Sequence, residues 1–434
     1  MSQDRSLTEL AQTLQTRLHQ AASLLVYQVV LQDAVGQSWL QLLQTLDRAV
    51  SNSGSQVEVL QAYGRWFAAL AASGQSFQSH LIERILQADN PFSHQAQRQP
   101  YSDLPEVLRS AACHDLSLLQ ELARSAERNL SEWVQQVCEL GQLPLVWQGP
   151  EAGSPLPLLE SDSWAEATAT LADYYRHHGV GLFAEFRALR WQAGSLVGIS
   201  VPDRVQLGDL VSYEGQKELL IKNTEFLLNG FPALHVLLYG SRGSGKSSLV
   251  KALLNAYHDR GLRLIEVTKS ELGELPAIVE HLRHLPQKFI IFVDDLSFEE
   301  DEAAFKALKV VLEGTLTARP ENLVVYATSN RRHLIREFFG DRPRPQNGDE
   351  IHAWDTVQEK LSFSDRFGLT LTFEPADQTT YLEIVHHLAH QAGISLTQAD
   401  LEYRALQWAT RHNGRSGRTA RQFVDFLRAD LALA

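Results

Sequence analysis

The sequence is poor in cysteine, with two in 434 residues, and it holds a single methionine. Cys113 and Cys138 have no metal-like spacing, which argues against a disulfide framework or a zinc module. Two reduced, partly buried thiols of a cytoplasmic protein are expected instead. Long apolar runs are also missing. Nowhere do about 18 apolar residues follow one another, so no membrane span is expected. The first residues, Met-Ser-Gln-Asp-Arg-Ser-Leu-Thr-Glu-Leu, lack the apolar centre of a signal peptide. A basic surplus is absent too: 39 Lys and Arg against 52 Asp and Glu give a net charge of −13. That balance disfavours a generally basic nucleic-acid binder, although a local basic face stays open. What remains is an ordinary globular composition, 44% hydrophobic, long enough for about two or three domains.

The first part of the chain, about residues 1–200, reads as a mostly α-helical N-terminal domain. Leu7, Leu10, Leu14 and Leu18 recur at helical spacing, as do Trp39, Leu43 and Leu46. Further amphipathic stretches cover about 55–72, 76–88, 115–140 and 164–192. Residues 143–163 are richer in Pro, Gly and Ser and read as a loop. This half carries no recognisable chemistry; oligomer contacts, partner docking and regulation are its candidate tasks.

From about residue 201 the pattern alternates between strands and helices. Apolar, β-branched and aromatic runs at 234–239, 262–267, 289–293, 323–327 and 369–373 predict five buried parallel strands in an α/β domain ending near 374. Such sheets bind ligands at the carboxyl ends of their strands. The first run leads into Gly240-Ser241-Arg242-Gly243-Ser244-Gly245-Lys246-Ser247-Ser248, which fits the phosphate-binding loop G-x-x-x-x-G-K-[ST]. Glycines let the backbone turn its N–H groups inward, and the following helix adds its positive N-terminal end. Lys246 is the expected partner of the β- and γ-phosphates of ATP, and the Ser247 hydroxyl the expected ligand of Mg²⁺. The run Phe289-Ile290-Ile291-Phe292-Val293 ends in Asp294 and Asp295. Asp294 is the expected second Mg²⁺ ligand, and Asp295 the residue that orients or activates a water. The acidic run 299–302 reads as the start of a helix, where negative charge suits the dipole.

The strand at 323–327 ends in Thr-Ser-Asn-Arg-Arg, where Asn330 can meet a γ-phosphate or the attacking water. Arg366, within Ser364-Asp365-Arg366-Phe367-Gly368, can stabilise phosphate charge with its planar fork; a salt bridge to Asp365 or another neighbour is the plainer use. Residues 375–434 read as three helices, at about 377–392, 397–411 and 417–431. Arg415, Arg418 and Arg421 crowd the start of the last one, against the helix dipole, a conflict expected where an anion must be met. A nucleic-acid patch or a solvated face are the competing uses. His386 and His390 lie four apart on one helix, but no further ligand cluster supports a metal there.

Taken in this order, the motifs over residues 203–434 resemble the AAA+ superfamily of P-loop ATPases, and in particular an uncharacterised bacterial family of predicted AAA+ ATPases. Residues 240–247 match Walker A and residues 290–295 match Walker B. Asn330 sits at the sensor-1 position. Arg366 is similar to the arginine finger of replication initiators, and Gly417-Arg418-Thr419-Ala420 to the sensor-2 helix start of branch-migration motors. The resemblance implies a parallel α/β core with a C-terminal helical lid, ATP and Mg²⁺ between them, and a homo-oligomer, often a hexameric ring, in which Arg366 serves a neighbouring subunit. Two departures stand out. Asp295 replaces the usual glutamate, which implies slow hydrolysis. The loop Thr268-Lys269-Ser270-Glu271-Leu272-Gly273-Glu274-Leu275 lacks the aromatic pore loop that grips polypeptide. The leading expectation is an ATPase that remodels or loads a macromolecular client. The alternatives are a nucleotide-gated oligomeric switch with little turnover, and a DNA-engaging loader using basic residues at 331–344 and 411–421.

Overall fold

A computed structural model describes residues 2–51, 53–149, 162–296, 302–313, 320–330, 366–412 and 414–433. The chain divides into two compact units, Met1–Glu185 and Phe186–Ala434.

The first unit is helical. Its longer helices are Ser2–Ala22, Ala34–Val50, Gln56–Ser73, Phe77–Leu86, Glu106–Cys138 and Thr168–His178. Polar residues fix where several of them start. Asp33 caps one, accepting the Gly36 N–H at 2.8 Å, and Ser55 with Glu58 forms a capping box on the next. Leu14, Trp39, Leu42, Leu46, Leu81 and Leu119 are fully buried in one shared core. One carboxylate is also fully buried: Asp115 accepts the backbone N–H groups of Leu25, Val26 and Tyr27 at 2.7–2.9 Å. It thereby satisfies a turn that the core would otherwise leave without partners.

The second unit is built on a sheet of seven strands: β1 (Ala188–Gln192), β2 (Ser195–Gly198), β3 (Val236–Gly240), β4 (Leu262–Glu266), β5 (Lys288–Val293), β6 (Leu323–Ser329) and β7 (Leu369–Phe373). Their order is β2-β1-β4-β5-β6-β3-β7. All neighbours are parallel except β1 and β2. The five expected strands are β3 to β7, so the expectation of a five-stranded sheet falls two short. Residues 188–192 carry a helical apolar pattern in the sequence, yet they form β1, pair with β4 and extend the sheet. The hairpin to β2 turns on Ala193 and Gly194, with φ of 50° and 79°. Two left-handed residues make the turn that suits a twisted hairpin, but alanine in place of the usual Asn or Asp hides it. β5 and β6 are buried almost throughout, as helix-covered parallel strands are. Three helices follow β7: Gln378–Gln391, Gln398–Arg411 and Gly417–Leu433. They share their own core of Tyr381, Val385, Leu401, Ala405, Phe423 and Leu427. No described helix is long and apolar enough to cross a membrane.

Candidate functional site

The site forms where β3 and β5 end. β3 runs into a loop that only glycine permits at two points. Gly240 has φ 140°, and a Cβ there would lie 1.9 Å from the Phe373 carbonyl oxygen. Gly245 has φ 90° and opens the helix Lys246–Tyr257. The lid closes on the same loop: the Arg418 N–H donates to the Gly243 carbonyl at 3.2 Å. A cavity of about 670 Å³ lies here. It is lined by Arg242 to Ser248 of the loop, by Asp294, Asp295, Thr328 and Asn330 from the strand ends, and by Arg418 and Arg421 of the lid.

The Lys246 ammonium is buried and donates to the carbonyls of Gly240 at 3.1 Å and Ser241 at 2.7 Å. Burial pulls its pKa below the usual lysine value, and the nearby Asp294 and Asp295 carboxylates oppose that. Ser247 Oγ donates to Asp294 Oδ1 at 2.6 Å. The two oxygens that hard cations favour are therefore side by side, a donor set that fits Mg²⁺. Asp295 takes a left-handed backbone, φ 50°, and its Oδ1 accepts the Asn330 side-chain amide at 2.7 Å. Apolar side chains line the cavity as well: Val205, Leu210 and Val211, with Ile384 and Leu388 of the lid. An anionic group fits the cationic lining and a flat base the apolar one.

The structure therefore brings Arg242 to Ser248, Asp294, Asp295, Asn330 and Arg418 together around one cavity, whereas Gly240 and Ser241 lie against β7, the Ser241 N–H donating to the Phe373 carbonyl at 3.0 Å. Arg366 is elsewhere: it does not line the cavity, and its guanidinium pairs with Glu313 at the end of the helix Glu302–Glu313. Arg415 donates to Gln378 at 3.1 Å, whereas Arg421 lines the cavity with Arg418. His386 pairs with Glu402 at 2.8 Å, and the described residues contain no group of three or more metal-type ligands. The basic stretch at 331–344, the acidic residues 299–301 and Asp365 lie outside the described residues. Sequence reasoning gave no role to Thr328, Val205, Leu210, Ile384 or Leu388, and it took Arg242 only as a backbone donor of the phosphate-binding loop. For Thr328 a signal existed: it precedes Asn330 by two positions, which puts both on one face of an extended chain.

A mostly parallel sheet with a glycine-rich loop after β3, paired carboxylates after β5, which β6 separates from β3, and a three-helix lid over the loop defines an AAA+-type P-loop fold. Residues 184–431 match the family described as "Protein of unknown function (DUF815)", and the chain belongs to that family. A curated relative is the acetoin catabolism regulatory protein of Cupriavidus necator, 25% identical over 177 residues. That match takes in 36% of this chain and only 26% of the relative's length. Among solved structures, the chain is similar to the Thermotoga maritima RuvB Holliday junction branch migration motor, at 15% identity and a TM-score of 0.38 over 53% of this chain and 66% of that one. It is also similar to the FIGL-1 AAA domain in complex with ADP, at 21% identity and a TM-score of 0.34 over 51% and 72%.

Proposed function

We propose that this protein is a Mg²⁺-dependent ATPase that works as a homo-oligomer and remodels or loads a macromolecular client. One observation carries the reading: the loop around Lys246, the Ser247–Asp294 pair, Asp295 with Asn330, and Arg418 all face one cavity between core and lid. Arg242 to Ser248 offer backbone N–H groups to phosphates, and Lys246 exchanges its two carbonyl partners for phosphate oxygens. Ser247 and Asp294 hold Mg²⁺, which neutralises charge on the phosphate oxygens when bound. Asp295 orients water, and Asn330 fixes the direction of that carboxylate. Arg418 meets the γ-phosphate from the lid. Arg366, away from its own cavity, exchanges its Glu313 partner for phosphate oxygens at the site of a neighbouring copy. The base sits between Val211 and the lid residues Ile384 and Leu388. The helical unit Met1–Glu185 is the candidate seat of client contacts.

Steady-state phosphate release from MgATP tests this. Turnover by the wild type, lost in Lys246→Ala, is the expected result; equal background rates in both would sink the enzyme reading. A second reading is a nucleotide-gated switch that assembles with little turnover. The Asp295–Asn330 bond and the short reach of aspartate favour it. Sizing with ATP, ADP and no nucleotide separates the two: assembly that follows ATP occupancy without hydrolysis selects the switch. Oligomer formation and a soluble cytoplasmic setting belong to the proposal.

A further inference from the structure

We infer that Thr328 is a positioning residue that presents Asp294 to the divalent cation; this rests on the Mg²⁺–nucleotide reading of the site. Thr328 is the next-to-last residue of β6 and is 2% exposed. Its Oγ1 donates to Asp294 Oδ1 at 2.5 Å and accepts the Asp295 N–H at 3.0 Å. Its carbonyl accepts the Leu296 N–H at 2.7 Å. One residue of β6 thus clamps the 294–296 turn at three consecutive positions.

The hydroxyl has one proton, and the Asp295 N–H can only donate. The direction of both bonds is therefore fixed: Thr328 gives its proton to Asp294 and receives from Asp295. Asp294 Oδ1 then takes three donors, from Ser247, Thr328 and the Asp295 backbone, the last at 3.1 Å. Among the described residues no hydrogen bond goes to Asp294 Oδ2. The carboxylate is consequently held by one oxygen and turned so that the other is left for a ligand. Ser247 fits the same arrangement. It spends its proton on Asp294, which leaves a lone pair on Oγ for the cation. Partners that orient a metal-binding carboxylate in this way typically change metal affinity about 10–100-fold when removed. The clamp also holds Asp295 in its left-handed backbone, and with it the carboxylate that meets Asn330.

The test uses the full chain, a non-hydrolysable ATP analogue and a MgCl₂ titration. Thr328→Val keeps the shape and removes the hydroxyl, Thr328→Ala is the second variant, and Thr328→Ser keeps the hydroxyl. In EDTA the analogue should bind Thr328→Val within about twofold of the wild type, which also reports an intact cavity. The Mg²⁺ concentration that gives half of the tightening should rise about 10–100-fold in Thr328→Val and Thr328→Ala and return close to wild type in Thr328→Ser. Wild-type Mg²⁺ dependence in Thr328→Val would overturn the inference alone. So would a Thr328→Ser variant shifted as far as Thr328→Val, because the methyl contact would then be what matters. A wild-type protein whose analogue binding ignores Mg²⁺ would overturn the site reading and the inference together.

Discussion

Replacing Gly240 with alanine should open the junction between β3 and β7 without unfolding the rest of the chain. The new Cβ would lie 1.9 Å from the Phe373 carbonyl oxygen and 2.7 Å from its carbon, both backbone atoms that no side-chain rotation can move aside. The φ of 140° is itself costly for any L side chain, by about 1–3 kcal/mol. Relief requires β7 to shift, which stretches the bond that the Ser241 N–H donates to Phe373 O at 3.0 Å, and a bond of this kind is worth about 1 kcal/mol. The combined loss is about 2–4 kcal/mol, equivalent to roughly 30- to 1000-fold faster opening. Amide hydrogen exchange on the full chain reads this directly. Exchange should quicken in β3, the loop to Ser248 and β7, while the helices of Met1–Glu185 stay at wild-type rates. Gly273→Ala is the control, because a Cβ there meets nothing within 4 Å. Unchanged protection in β3 and β7 of Gly240→Ala would refute the close-approach argument, whatever the variant did to nucleotide binding.

Asp295→Asn should keep ATP affinity and lower turnover by about 100-fold or more, as loss of a general base does; turnover at the wild-type rate in a phosphate-release assay would exclude Asp295 from that role. Arg366→Ala should also keep ATP affinity yet lose about 1000-fold in turnover if it serves a neighbouring site, and an undiminished rate would return Arg366 to the structural pairing with Glu313 alone. In the helical unit, burial would raise the pKa of Asp33, but its bonds to His80 at 2.6 Å and the Gly36 N–H, with Arg84 nearby, outweigh that and hold it below the usual value. A carboxylate with a depressed folded pKa stabilises above its unfolded pKa of about 3.9 and loses that contribution as pH falls through the folded value. The urea midpoint of this unit should therefore drop on acidification below about pH 4, and Asp33→Asn should remove part of that slope; identical slopes in both proteins would contradict the assignment.

Much of the second unit is legible in the sequence because its strands are continuous apolar runs between turn signals, and its lid helices carry clean caps such as Asp377 and Thr397. β1 and β2 are not. Ala188–Gln192 is short, its alternation is masked by Leu182, Phe186 and Leu189 at helical spacing, and its turn uses Ala193. Lys246, Ser247 and Asp294 announce themselves through motif spacing. The clamp by Thr328 does not, since a threonine in a β-strand is expected for its branching alone and only the three-dimensional approach of β6 to the end of β5 gives its hydroxyl two partners. The pairing of Arg366 with Glu313 is equally invisible, because it joins positions far apart in the chain.

On the proposed function, the cavity between loop and lid holds a nucleoside triphosphate through Lys246. Calorimetric titration of the full chain with ATP and Mg²⁺ tests this most directly. Saturable one-site binding by the wild type, weakened about 10- to 150-fold in Lys246→Ala as befits the loss of a charge-assisted contact, is the predicted result. Absence of ATP binding by the wild type, or equal affinity in Lys246→Ala, would contradict it.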